Sequence, residues 1–261
     1  MSFVVGADLY DRFMGRYSVP LAPLFADFAG VADDAGDAGD ARGQRSLDVG
    51  CGPGALTTEL VRRLGPASVC AVDPSDPFVV AARERHPDVT VQRAAAEQLP
   101  FGDDEFDASL AQLVVHFMKD PVVGLREMAR VTSNTGVVAA CVWDHEGGKG
   151  PLSLFWQAAH DLDPSVDGES GLAGAREGHL EELFHNAGLL HIESSALSIS
   201  VTHQTFDEWW QPYTLGVGPA GSYTAALDPD QRDRLRERCR SLLPTPPFVV
   251  TALAWAVRGS P

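Results

Sequence analysis

The residues best suited to chemistry are a glycine-rich run, LDVGCGPG at positions 47–54, and an aspartate that ends the next apolar run, Asp73. Glycines allow the positive φ angles of a tight turn and let a ligand touch the main chain, while free N–H groups at a helix start face that ligand. An aspartate at the carboxyl end of the neighbouring strand can accept hydrogen bonds from both hydroxyls of a ribose. Together they predict a site for a nucleotide-like cofactor. Each alone has a simpler explanation, a geometric turn for the glycines and a helix N-cap for Asp73.

A sheet must position these residues, and the sequence from Arg45 onward indicates one. Short, continuously apolar runs alternate with helix-like segments, which is typical of βαβ units whose parallel strands are covered on both faces. The chain is therefore predicted to be an α/β protein. The expected strands are SLDVG, SVCAVD, VTVQ, FDASLAQLVV, GVVAACVW, Leu190–Val201 and FVVTALAWAV. The expected helices are Val19–Phe28, Ala55–Leu64, Pro77–Arg85, Pro121–Val131, Leu152–His160, Glu177–Ala187 and Asp230–Leu243.

Two stretches interrupt this rhythm within what we expect to be a single domain, residues 1–261. Residues 30–44 are almost wholly Gly, Ala and Asp, with no large apolar residue after Val31, which predicts a solvated, flexible loop. Residues 143–228 mix glycines with aromatic residues and are predicted to form a substrate-recognition cap inserted in the domain. Within it, residues 205–223 are expected to be a cap or lid rather than sheet.

The bulk properties narrow the possible partners. With 20 Lys and Arg against 36 Asp and Glu, the net charge of −16 disfavours nucleic acid and anionic membranes as partners. The start of the sequence does not have the pattern of a secretory signal, and no run of about 18 apolar residues occurs, so we expect a soluble, cytoplasmic protein without membrane insertion. The four cysteines are widely spaced, and neither CxxC nor HExxH is present, so we expect no metal site.

Five blocks of residues resemble the class I S-adenosylmethionine-dependent methyltransferases, in particular the group (methyltransferase type 11) that includes the ubiquinone and menaquinone biosynthesis methyltransferases. The blocks are LDVGCGPG, VDPS, AAAEQLPFGDDEFD, AQLVVHFMKDP and LREMARVTSNTGVVAA, within residues 45–142. The N-terminal YDRFMGRYS is similar to a segment that closes over the cofactor in relatives. The resemblance implies a Rossmann-like, seven-stranded, mostly parallel sheet with helices on both faces, an antiparallel last strand and a variable cap. It also implies S-adenosylmethionine as cofactor and S-adenosylhomocysteine as product.

The resemblance assigns roles to individual residues. Those expected to contact the cofactor are Gly50, Cys51 and Gly52 (methionine part), Asp73 (ribose), Pro74, Ser75, Ala95, Ala96 and Glu97 (adenine), Gln112 and Leu113 (amino group and sulfonium), and Tyr10 and Arg16 (carboxylate). Tyr10 could instead only anchor the N-terminal helix. One departure stands out, because many relatives have an aspartate at the position of Ala95 that accepts from the adenine amino group.

Methyl transfer from a sulfonium requires alignment and exclusion of water more than a catalytic triad. If the acceptor is a hydroxyl, a base helps, and His116 and His145, with Asp144 beside it, are candidates because they follow strands at their carboxyl ends. The alternative for His116 is a buried structural histidine. The aromatic residues of the cap suggest a small aromatic or lipophilic acceptor, although several could be ordinary core. The candidate substrate-pocket residues are Trp143, Trp156, Trp209, Trp210 and Tyr213.

Two other functions remain open. Gly50, Gly52 and Ala55 also fit a permissive dinucleotide fingerprint, which would suit an NAD-dependent oxidoreductase, but the chain has no Tyr-x-x-x-Lys proton relay. The second is a protein that binds S-adenosylmethionine without transferring its methyl group. The expected partner is a small-molecule methyl acceptor, and the sequence leaves monomer and homodimer open.

Overall fold

A seven-stranded sheet with the order β3-β2-β1-β4-β5-β7-β6 forms the centre of the computed structural model, which describes residues 6–32 and 43–261. The strands are β1 Ser46–Val49, β2 Val69–Asp73, β3 Thr90–Arg93, β4 Phe106–Gln112, β5 Thr132–Trp143, β6 Leu190–His203 and β7 Phe248–Ser260. The pairs β1–β2, β1–β4, β2–β3 and β4–β5 are parallel, whereas β7 is antiparallel to both β5 and β6. The predicted α/β class and the antiparallel last strand are confirmed.

Helices cover both faces of this sheet. Their bounds are α1 Ala7–Tyr10, α2 Arg16–Phe28, α3 Ala55–Leu64, α4 Asp76–Arg85, α5 Pro121–Val131, α6 Ser153–Leu162, α7 His179–Ala187, α8 Phe206–Trp210, α9 Gly218–Ala226 and α10 Pro229–Leu242. One apolar cluster includes residues of α2, α3, α4, α6 and α10, and the other includes residues of α5 and α7. Successive residues of β5 alternate between the clusters, with Ala139 and Cys141 in the first and Ala140 and Val142 in the second. Burial on both faces explains why the strands read as continuously apolar.

The predicted and observed bounds agree best for helices whose first and last residues have clear start and stop signals in the sequence. Helices α3 and α5 have the predicted bounds, and Asp120 caps α5 by accepting from the N–H groups of Val122 and Val123. The fourth strand is shorter than predicted. It ends at Gln112 because Leu113 adopts a positive φ of 62°, and a short 3₁₀ turn follows at Val115–Phe117. This turn carries the chain across the carboxyl end of the sheet.

The predicted cap, residues 143–228, differs from the observed architecture. It contains α7, which packs against α5, and β6, which pairs with β7 along most of its length, so both belong to the central domain. Two separate insertions remain, residues 144–178 with α6 and residues 204–247 with α8 to α10. The predicted lid, residues 205–223, does lie outside the sheet but is mostly helical.

A flexible loop was predicted for residues 30–44. Residues 33–42 of this stretch lie outside the described part of the chain. Within the described ranges, none of the helices combines the length and apolar character that crossing a membrane requires.

Candidate functional site

A cavity of about 380 Å³ opens at the carboxyl ends of β1, β2 and β4. Eleven of the predicted cofactor residues line it: Tyr10, Gly50, Gly52, Asp73, Pro74, Ser75, Ala95, Ala96, Glu97, Gln112 and Leu113. Five lining residues were not predicted: Phe78, Val114, Phe117, Met118 and Lys119. Four of these five are apolar. Phe78 lies in the first turn of α4, and the other three lie between β4 and α5, where sequence patterns show burial but not the direction of a side chain.

The glycine-rich turn after β1 is held by the neighbouring strand. The N–H groups of Gly50 and Cys51 donate to the carbonyl oxygen of Val72 at 2.8 and 2.9 Å. Gly50 has a φ of +72°, and a Cβ there would lie 2.5 Å from two methyl carbons of Val114. Gly52 has a φ of +52°, and a Cβ there would meet no atom within 4 Å, so its open side is space for a ligand.

Cys51 does not present its side chain to this cavity. It is buried in the first apolar cluster, and its Sγ donates to the carbonyl oxygen of Gly52 at 3.5 Å. Burial raises the pKa of its thiol well above the usual value, so the group stays protonated. Any contact of Cys51 with a cofactor would be through its backbone.

Asp73 joins the turn after β1 to the turn after β2. Its Oδ2 accepts from the N–H of Gly52 at 2.9 Å, and its Oδ1 accepts from the N–H of Ser75 at 2.8 Å. Burial raises the pKa of this carboxyl, and the two backbone N–H groups oppose that rise. Because each carboxylate oxygen can accept more than one hydrogen bond, acceptor capacity remains for a ligand in the cavity.

A second buried carboxyl, Asp48 on β1, lies beneath the turn. Its Oδ2 accepts from Oγ1 of Thr57 on α3 at 2.6 Å, and burial raises its pKa to about 7. It was not predicted as a functional residue. The sequence feature that could have indicated it is its position within the glycine-rich run, residues 47–54.

The side of the cavity formed after β3 is mainly apolar. Ala95 supplies no side-chain hydrogen bond, and Ala96 is buried. Glu97 uses its Oε1 to accept from the N–H groups of Lys119 and Asp120, at 2.6 and 3.1 Å. Glu97 therefore fixes the loop before α5 as well as lining the cavity.

The opposite end of the cavity adjoins the N-terminal helices. Gln112 donates through Nε2 to the carbonyl oxygen of Ser18 at 3.0 Å, and its buried Oε1 has no hydrogen-bond partner among the described residues. The ring of Tyr10 meets Phe78 edge to face at 5.2 Å between centroids. Thus Tyr10 both lines the cavity and ties the N-terminal segment to α4.

The expectation for Arg16 must be corrected, because it does not line the cavity. Its Nη1 hydrogen-bonds to Nδ1 of His203 at 3.1 Å and donates to the carbonyl oxygen of Glu208 at 3.2 Å. Tyr17 bonds to the other ring nitrogen of His203 at 3.1 Å. These hydrogen bonds connect α2 to β6 and α8, so the contacts of Arg16 stabilise the fold rather than face the cavity.

A second, smaller cavity of about 30 Å³ shares Tyr10, Leu113 and Phe117 with the first. Its lining includes both candidate bases, His116 and His145, whose ring centroids lie 6.0 Å apart. Burial lowers the pKa of His116 to about 3 and that of His145 to about 4, so both imidazoles are neutral at neutral pH. His116 Nδ1 and His145 Nε2 have no hydrogen-bond partner among the described residues.

Asp144, the third residue considered at this edge, serves the turn after β5. Its Oδ1 accepts from the N–H of Gly147 at 2.8 Å, and its backbone carbonyl accepts from the N–H groups of Lys149 and Gly150. Asp144 does not line either of the two cavities described above.

The five aromatic residues predicted for a substrate pocket divide into two groups. Trp143 lines the second cavity and Trp156 lines a third cavity of about 240 Å³. Trp209, Trp210 and Tyr213 line none of these three cavities and, like Trp143, are buried in the first apolar cluster, where Tyr213 stacks on Phe155 at 4.4 Å between centroids. For these three, the expectation is corrected: they are core residues, because α8 buries the rings of Trp209 and Trp210 and the 3₁₀ turn Gln211–Leu215 buries that of Tyr213.

Strand order, the antiparallel β7 and a cavity at the carboxyl ends of the first two strands define a Rossmann-like methyltransferase fold. Residues 47–140 match the family model described as methyltransferase domain. Over this stretch, which contains β1 to β4 and most of β5, the chain is similar to S-adenosylmethionine-dependent methyltransferases.

Individual comparisons agree with this assignment. The chain is 36% identical over 152 residues to a malonyl-[acyl-carrier protein] O-methyltransferase of Halorhodospira halophila, covering 49% of this chain and 51% of the relative. It is 33% identical over 100 residues to the ubiquinone/menaquinone biosynthesis C-methyltransferase UbiE of Bdellovibrio bacteriovorus, covering 37% of this chain and 43% of the relative. The chain thus spans about half or less of the length of these relatives.

The fold is also similar to solved structures. The YcgJ protein from Bacillus subtilis superposes with a TM-score of 0.56 at 18% identity, covering 91% of this chain and 96% of that one. At this identity the likeness concerns the fold alone.

Proposed function

We propose that this chain transfers a methyl group from S-adenosylmethionine to a small-molecule acceptor by direct in-line displacement. The observation that carries the proposal is the 380 Å³ cavity at the carboxyl edge of the sheet, lined by Gly52 and by the carboxylate of Asp73 that accepts from its N–H. The match of residues 47–140 to the methyltransferase domain model and the names of the relatives, a malonyl-[acyl-carrier protein] O-methyltransferase and a ubiquinone/menaquinone biosynthesis C-methyltransferase, support it.

The residues of the cavity fit the proposed cofactor. Asp73 has acceptor capacity for ribose hydroxyls, and the apolar side formed by Pro74, Phe78 and Ala96 suits an aromatic base. At the other end, the buried and unpartnered Oε1 of Gln112 is an acceptor for an ammonium group. Since Ala95 supplies no carboxylate, the base would be held there by apolar contact and main-chain groups.

When bound, S-adenosylmethionine supplies an electrophilic methyl group, so that the acceptor lone pair forms a bond to its carbon while the carbon–sulfur bond breaks and its electron pair stays on sulfur. The task of the chain is to align the acceptor and exclude water. Phe13 and Met14, on the turn between α1 and α2, are buried and line the second cavity, where they would exclude water from the transfer.

A proton released by the acceptor needs a destination. His116 and His145 are neutral, border the second cavity and have ring nitrogens without partners among the described residues. Burial makes both imidazoles weak bases, so either could pass the proton on toward water but would not retain it at neutral pH. An acceptor that loses its proton to water would need neither.

The first test is ligand choice. Calorimetry with S-adenosylmethionine, S-adenosylhomocysteine and NAD should show binding of the two sulfur compounds and none of NAD. A second step offers deuterated-methyl S-adenosylmethionine with phenols, quinols and amines, and mass spectrometry detects labelled product and S-adenosylhomocysteine. Binding of NAD alone, or of no ligand, would overturn the proposal. Tight binding with no labelled product from any acceptor would favour a protein that uses the cofactor without methyl transfer.

A further inference from the structure

Three cavities follow one another from the cofactor side toward the first insertion. The second cavity shares Tyr10, Leu113 and Phe117 with the cofactor cavity. The third cavity shares two other residues with the second, His145 and Glu169. Any path from the third cavity to the cofactor cavity would run past these two side chains.

The volumes of the second and third cavities limit which part of a ligand each could hold. The second cavity, at about 30 Å³, has room for one or two water molecules and hence for a reacting atom, but not for the body of a ligand. The third cavity, at about 240 Å³, is large enough for a ring-sized molecule. The body of an acceptor would thus lie in the third cavity and its reactive atom in the second.

Unsatisfied polar atoms mark the third cavity as a ligand site rather than a packing gap. Its lining includes Ser153 and His145, and both Ser153 Oγ and His145 Nε2 are buried without a hydrogen-bond partner among the described residues. Because buried polar groups are normally paired, a polar ligand would complete these bonds. At Gly168, which has a φ of +63°, an added Cβ would lie 3.2 Å from Cδ2 of Trp156, so the backbone packs closely against this ring.

Glu169 is the one buried carboxyl shared by the two cavities. It is 4% exposed, and its Oε2 accepts from Nε1 of Trp156 at 2.7 Å. Burial raises its pKa to about 7, and the bond from Trp156 opposes that rise. No Lys or Arg is among the described residues that line the second or third cavity. An anionic group would therefore face Glu169 without a compensating cation, which is costly in a buried site.

We infer that the methyl acceptor binds in the third cavity, donates a hydrogen bond from an amine or hydroxyl group to Glu169, and carries no anionic group. This inference rests on the proposed function, because it takes the first cavity to hold the methyl donor. Glu169 is then a specificity-determining residue: it selects acceptors by charge and hydrogen-bond donation.

The test compares ligand classes on the protein saturated with S-adenosylhomocysteine. Aromatic amines, aromatic alcohols and aromatic carboxylates of matched size are offered in equal numbers and scored by ligand-observed NMR. We expect amines and alcohols to bind and carboxylates to bind at least about tenfold more weakly, a difference of ~1.4 kcal/mol. Comparable binding of carboxylates, or no binding by any class, would overturn the inference.

A pair of variants tests the role of Glu169 itself. Glu169→Gln keeps the side-chain shape and an oxygen that can accept from Trp156, so the fold should persist with an unchanged Tm. Amine affinity should fall about tenfold, alcohols should change less, and S-adenosylhomocysteine affinity should not change. Glu177→Gln makes the same charge change at an exposed site outside these cavities and should alter none of these values. Amine binding that is unaffected by Glu169→Gln would contradict the inference, whereas failure of S-adenosylhomocysteine to bind the unmodified protein would contradict the proposed function instead.

Discussion

Replacing Asp73 by alanine should weaken cofactor binding far more than it weakens the fold. The carboxylate already accepts from the N–H groups of Gly52 and Ser75, and its remaining acceptor capacity faces the cavity. A hydrogen bond to a charged group is worth ~1.5–3 kcal/mol, so losing the ribose contact should raise the Kd for S-adenosylhomocysteine about ten- to hundredfold. Calorimetry on the two proteins measures this ratio directly.

The same substitution leaves two turn N–H groups without their partner, and part of the affinity loss could come from a loosened turn. Thermal unfolding without ligand measures that contribution, and we expect a decrease in Tm of only about 2–6 °C because water can reach both groups from the cavity. Asp88→Ala, at an exposed aspartate outside the cavity, is the matched control and should change neither value. An increase in Kd below about threefold for Asp73→Ala, with the fold intact, would refute ribose binding by this carboxylate.

Other substitutions test the turn and the buried ionisable groups. Gly50→Ala, whose Cβ would clash with Val114, should lower Tm by about 5 °C or more, whereas Gly52→Ala, with open space around it, should mainly weaken S-adenosylhomocysteine binding in calorimetry. Burial raises the pKa of Asp48 to about 7, so its contribution to stability is complete at low pH and is lost as pH rises from about 4 to about 7; Asp48→Asn should remove that slope in urea unfolding. Burial lowers the pKa of His116 to about 3, so its contribution to the free energy of unfolding is present above about pH 6.5 and is lost as pH falls below that. His116→Gln should therefore make stability less sensitive to acid, and an unchanged dependence of stability on pH would contradict the burial of a neutral imidazole at this position.

The cofactor half of the molecule could be predicted from sequence because its signals are local. The turn at positions 50–54 and Asp73 each sit next to the strand that presents them, and parallel strands bring their carboxyl ends to one edge. Arg16 is the exception. Its partners, His203 and Glu208, are more than 180 positions away, so nothing near Arg16 in the sequence could indicate that contact.

The acceptor half could not be predicted in the same way, because the third cavity is lined by one insertion whose residues outside α6 follow no periodic pattern. The run of aromatic residues at positions 209–213 suggested a pocket, but a helical turn directs these rings into the core. Glu169 lies in a glycine-rich stretch with no periodic pattern, and the role proposed for it depends on its burial and its bond to Trp156, which the sequence does not indicate. A buried carboxyl in a loop cannot be distinguished by sequence from an exposed one.

This division follows from the proposed chemistry. A sulfonium donor is reactive without an elaborate catalytic apparatus, so the residues at the strand ends need only hold it, and a common motif suffices for that task. Acceptor choice then depends on what the insertions place beyond His116 and His145. In this chain the second and third cavities are lined by the neutral imidazoles of His116 and His145 and by the carboxyls of Asp167 and Glu169, with no described lysine or arginine. Charge in the cavity, rather than the aromatic content of the cap, is therefore the property that should distinguish its acceptor from those of relatives with the same fold.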